Sequence, residues 1–93
     1  MIRSFANDAT KQVFEGRAVK EIPRRMQQRA LVKLQMLNAA SDLKDLEVVR
    51  SNKLQELSGG RSGKYCICVD AHGRICFRWE SGHAYDVEIY GYH

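Results

Sequence analysis

Three residues whose chemistry suits a phosphate ester stand in the carboxyl-terminal third of this 93-residue chain: Arg74, which opens "RICFRWE", and Tyr92 and His93 in the ending "YGYH". An imidazole titrates near neutrality and can take or give a proton. A guanidinium grips two oxygens at once and stabilises charge developing on them. A phenol can donate a proton or stack on a base. Such a set, with no metal-ligand spacing around it, suits phosphodiester chemistry on RNA, whose own 2′-hydroxyl supplies the nucleophile. Lys53, Arg61, Lys64 and Arg78 would add electrostatic hold on the backbone.

The elements that must position these residues follow from a hydrophobic period of two after Asn52, in "KLQEL", "KYCICVD", "RICFRWE" and "HAYDVEIY", with glycine-containing turns between them. This pattern predicts four strands in an antiparallel meander. If Ser81 and Gly82 make the last turn, Glu80 pairs with His83, and counting back sets Arg74 opposite Ile89, with Tyr92 and His93 just beyond it. Across the "AHG" turn the same counting gives Asp70 and Arg74 one edge and makes Cys68 face Cys76. Across "SGGRSG", Leu57 meets Lys64 and Lys53 falls near Cys68. Lys53, Arg74, Tyr92 and His93 are thus expected toward one end of the sheet. Alternation gives an apolar face of Tyr65, Ile67, Val69, Ile75, Phe77, Trp79, Tyr85, Val87 and Ile89. The opposite face carries Cys66, Cys68, Arg74, Cys76, Arg78, Asp86, Glu88 and Tyr90.

Helices precede this sheet. Asn7 or Asp8 can cap a short helix over "ATKQVFE", and Gly16 provides a left-handed stop. From Arg24 to about Ala40, Met26, Ala30, Leu34 and Leu37 recur at spacings of three and four, while Arg24, Arg25, Arg29 and Lys33 lie mostly outside that stripe. The basic side of this helix could meet RNA phosphates or an acidic protein segment, or be simply solvated. Ser41 can cap a further turn over "DLKDLEV". The order predicts an α+β domain, residues 1–93, in which two N-terminal helices pack on one face of a four-stranded, mainly antiparallel sheet.

Composition narrows the class. A chain of 93 residues, 44% of them hydrophobic, closes one modest core, and its net charge of +4 favours polyanionic partners. No apolar stretch approaches the roughly 20 residues that span a bilayer, and "MIRSFANDATK" has no signal-peptide pattern, so a cytoplasmic protein is expected. Cys66, Cys68 and Cys76 are odd in number and lack C-x-x-C spacing, which predicts reduced thiols. Cys68 and Cys76 with His72 or His83 do not make four good metal ligands, and neither a metal nor a cofactor is expected.

The opening "MIRSF", "LQMLNAASDLKDL", "NKLQELSGGRSGKYCICV", "RICFRW" and the ending "YGYH" together resemble the HigB-type (plasmid maintenance killer) group of the RelE superfamily of bacterial toxins, over nearly the whole chain. The resemblance implies a RelE-like fold and a ribosome-dependent mRNA endonuclease that cuts in the A site without metal. It also implies neutralisation by a HigA-type helix-turn-helix antitoxin, through which operator DNA is contacted indirectly. Arg74, Tyr92 and His93 match the family's strand arginine and terminal tyrosine and histidine. The chain departs from some relatives at Gln55, where they have histidine, and at Ser58, where they have lysine. It departs again at Gly91, where they have aspartate, and at Gly73, where they have tryptophan. A non-catalytic RNA-binding or regulatory module derived from such a toxin is the alternative reading.

Overall fold

The computed structural model describes residues 1–57 and 63–91. Helix α1 spans Asp8–Phe14, α2 Arg24–Ala39 and α3 Leu43–Glu47, followed by a 3-10 turn over Arg50–Asn52. Strands β1 (Gln55–Glu56), β2 (Lys64–Cys68), β3 (Arg74–Glu80) and β4 (His83–Tyr90) form one sheet in the order β1-β2-β3-β4, with every neighbouring pair antiparallel. The expected α+β order of helices before sheet holds.

Local chemistry accounts for the helix ends. Asn7 caps α1 by accepting from the Thr10 amide, and Gly16 follows the helix at φ +82°, a conformation that costs glycine little. Pro23 precedes α2, where its missing N–H costs nothing. The cap of α3 is Asp42 rather than the expected Ser41: Asp42 and Asp45 form a reciprocal capping box, and Ser41 instead donates its amide to Asp45.

One face of the sheet is covered by helices. Met26, Ala30, Leu34 and Leu37 of α2 are buried together with Ile67, Ile75, Phe77, Val87 and Ile89. Lys33, expected outside the apolar stripe, is buried too: its ammonium donates to Asn52 Oδ1 at 2.6 Å and to Ser51 Oγ at 3.0 Å. Asn52 in turn donates to the Leu46 carbonyl, so the chain entering β1 is tied to α2 and α3 through a satisfied polar pair.

Two registers depart from simple counting. Asp70 folds into the β2–β3 turn, where its carboxylate accepts from the amides of His72 and Gly73, and the ladder therefore shifts by two: Cys68 faces Arg74, and Cys66 faces Cys76. Cys66 and Cys76, expected as reduced thiols, are joined as a disulfide with Cα atoms 4.1 Å apart, and Cys68 remains a thiol.

The second departure is a bulge in β4. Between the pairs Cys76↔Glu88 and Arg78↔Tyr85, two residues of β4 stand against Phe77 alone, with Asp86 at φ +53°. Tyr85, expected on the helix-covered face, consequently shares a face with Arg78, and Arg74 meets Tyr90 rather than Ile89.

The outer edge of β4 is closed by a segment that periodicity does not reveal. Ile2 and Phe5 bridge in parallel to Ala84 and Val87, the Ser4 hydroxyl accepts from the Asp86 amide, and Thr10 accepts from that of Ile89. That edge has few amides left to pair with another strand.

Two predictions follow from these contacts. Closing a loop across a sequence separation of 10, the disulfide should contribute roughly 3 kcal/mol, so Cys76→Ser lowers stability by about that amount in urea melts, and a strong reductant brings the unsubstituted chain down to the same level. Because Asp86 occupies the left-handed region, Asp86→Val should cost about 1–2 kcal/mol, while Asp86→Gly melts close to the parent.

Candidate active site

The sheet face left open by the helices is a shallow groove of about 490 Å3, floored by β2, β3 and β4. Cross-strand pairing arranges its side chains in three rows. Lys64, Arg78 and Tyr85 form the first, Gln55, Cys66, Cys76 and Glu88 the second, and Cys68, Arg74 and Tyr90 the third.

The first row sets two cations opposite each other, which is unfavourable unless compensated. Compensation comes from Arg78's surroundings: its guanidinium lies 3.4 Å from Glu80 and 3.7 Å from Asp86, and stacks 4.7 Å from the centre of the Tyr85 ring. Arg78 is therefore held in place, and Lys64 beside it is the more exposed charge.

The third row differs. Arg74 and Tyr90 are exposed, and no salt bridge to Arg74 forms among the described residues. The Glu88 carboxylate, as the nearby acceptor for the Tyr90 hydroxyl, with some burial and its own charge, raises the phenol above its ordinary value of 10.0. Arg74 thus presents its donors to a face where the neighbouring phenol stays protonated at neutral pH.

Of the residues singled out in the sequence, the groove brings together Arg74, Arg78 and Lys64. Lys53 is not among them. It sits exposed in a left-handed turn, φ +44°, before β1, because that strand is only Gln55–Glu56 and the expected pairing near Cys68 does not form. Arg61, Tyr92 and His93 lie outside the described residues, as does Ser58. Among the described residues, no group of three or more His, Cys, Asp or Glu could hold a metal ion.

Sequence reading missed Tyr90 and Glu88 as members of the site, although alternation had put both on the open face. Tyr85 gave no such signal, since only the bulge turns it outward.

The chain leaves the third row through Gly91, at φ +84°. A Cβ there would strike the His72 carbonyl oxygen, and a Cβ on Gly73 would strike the Met26 methyl. These close approaches press the end of β4 and the start of β3 onto each other and onto α2. The backbone contact gives a physical reason for glycine at position 91, where some relatives carry aspartate; at position 73, where some carry tryptophan, the Met26 methyl occupies the space.

Removing the Glu88 charge should release the phenol. Glu88→Gln is expected to lower the Tyr90 pKa toward 10.0, measured residue by residue in an NMR pH titration, with the other tyrosines unmoved.

Comparison with known proteins identifies the family. A family model described as the RelE-like toxin of the type II toxin-antitoxin system HigB matches residues 3–93. The endoribonuclease HigB of Proteus vulgaris is 32% identical over 93 residues, a span that covers all of both chains. Matched along almost its entire length, the chain belongs to the HigB-like, RelE-type toxins of type II toxin-antitoxin systems.

Proposed function

We propose that this toxin is an endoribonuclease that cuts translated mRNA in the ribosomal A site by metal-independent attack of the substrate's own 2′-hydroxyl. One observation supports this most: Arg74, without a salt bridge among the described residues, stands beside Tyr90 at the end of the sheet from which Gly91 leads into Tyr92 and His93. The name of the full-length relative, an endoribonuclease, points the same way.

In this reading Arg74 holds the scissile phosphate bidentately and stabilises the charge that builds on its non-bridging oxygens. The imidazole of His93 takes the 2′-hydroxyl proton. The 2′-oxygen then bonds to phosphorus, the bond from phosphorus to the 5′-oxygen breaks, and that oxygen receives a proton, leaving a cyclic phosphate and a 5′-hydroxyl. Tyr92 stacks on a base or supplies the proton. Lys64 and Arg78 in the groove, Lys53 outside it and Arg61 contribute electrostatic hold on RNA. The toxin's antitoxin is of the HigA helix-turn-helix type, and contact with operator DNA runs through it.

Mapping mRNA 5′ ends after induction tests the reading. Arg74→Ala should reduce cleavage about 100- to 1,000-fold with an unchanged melting transition, since the side chain is exposed. His93→Ala should abolish cleavage while ribosome binding persists, and cuts should disappear when ribosomes are omitted. A non-catalytic module would be indifferent to both substitutions.

A further inference from the structure

A second cleft, of about 450 Å3, lies on the other side of the sheet's end, between α2 and the β2–β3 turn, and is lined by Pro23, Arg25, Met26, Arg29, His72 and Gly91, with Asp70 at its wall. We propose that this cleft holds the backbone phosphates of the RNA strand that flanks the nucleotide bound at Arg74. The inference rests on the reading of the groove as an RNA site, and extends it to how the strand is held on its way out.

Arg25 and Arg29 are four residues apart on α2 and so share one face of the helix. Both are exposed, and neither forms a salt bridge among the described residues. The cleft's one acid, Asp70, opposes an anion: one of its carboxylate oxygens accepts the His72 and Gly73 amides at 2.8 Å and its charge acts on Arg29 and His72, so the two arginines must outweigh it. His72 adds an exposed imidazole beside the two guanidinium groups.

Cleft and groove are close neighbours. His72 and Arg74 are separated only by Gly73, so their Cα atoms lie no more than about 7 Å apart. On β4 the join between them is Tyr90 and Gly91, and Gly91 packs against the His72 carbonyl, which ties the end of β4 to the turn that lines the cleft. An RNA strand fixed at Arg74 continues past that phosphate, and the cleft offers it two further cations. Pro23 and Met26 supply apolar surface for sugars. An acidic protein segment would also be drawn to the arginines; the continuity with the Arg74 groove favours the polymer already bound there.

The test uses the full chain with a single-stranded oligonucleotide carrying a 2′-deoxy nucleotide at the cleavage position, so that binding is read without cutting. Fluorescence anisotropy is measured from about 50 to 200 mM salt. Losing two phosphate contacts, the double substitution Arg25→Ala with Arg29→Ala should make the slope of log affinity against log salt shallower by about 1.4. The Lys,Lys double variant, which keeps both charges, should restore most of it. An unchanged slope and affinity in the alanine variant would overturn the proposal. So would a result in which that variant loses only its antitoxin while binding RNA as before, since the cleft would then be a protein-docking surface. Arg74→Ala, measured for cleavage in parallel, reports on the groove alone: if it cuts normally the active-site reading fails, whatever the cleft does.

Discussion

Between the pairs Cys76↔Glu88 and Arg78↔Tyr85, β4 places two residues where β3 has one, and the consequences run along the whole strand. Side chains of a strand alternate between faces, so one inserted residue exchanges the face of everything on one side of it. Here the exchange lets Ala84 and Val87 both point into the core while Tyr85 turns out to stack on Arg78. It also moves the end of β4 by one position, which sets Tyr90 rather than Ile89 against Arg74. The bulge is held from outside, because the Ser4 hydroxyl and carbonyl accept the Asp86 and Val87 amides. The opening residues of the chain therefore help define a site formed by its closing ones.

The groove that results is divided in its electrostatics. At one end Arg78 is spent on Glu80, Asp86 and Tyr85, a structural arrangement that tolerates Lys64 opposite. At the other end Arg74 has only a protonated phenol and a half-buried thiol in its row. A cation without an ion-pair partner among the described residues, on an exposed strand, is the better candidate for an external phosphate, since binding one breaks none of the ion pairs described. The disulfide between Cys66 and Cys76 crosses the floor between these two ends and ties β2 to β3 where the groove is widest in charge contrast.

Close backbone packing takes over at the third row. With glycine at 91, β4 approaches the His72 backbone more closely than a side chain would permit, and at Gly73 the Met26 methyl of α2 fills the place of a side chain. A carboxylate at position 91 would require the chain end to move away from His72. The same approach sets the groove and the basic cleft side by side, so one packing feature brings two cationic surfaces together.

Element types, their order and most of the core were legible in the sequence: α1 with its Asn7 cap, the stripe of Met26, Ala30, Leu34 and Leu37, and the four strands. These are local signals, carried by period, caps and turn residues within a few positions. Alternation, local too, also picked out Arg74 and Arg78 as companions on one face, and turn counting set Glu80 against His83 and Leu57 against Lys64. Two other registers were set by contacts that counting does not include. Asp70's commitment to its turn paired Cys66 with Cys76, and the bulge at Asp86 paired Arg74 with Tyr90. The tertiary structure likewise drew Lys33 inward to Asn52, bent Lys53 away from the sheet and laid residues 1–6 along β4. Apart from Asp70's turn, which is local, each of these depends on partners far along the chain or on a single left-handed residue, and none leaves a periodic trace that a strand count can follow.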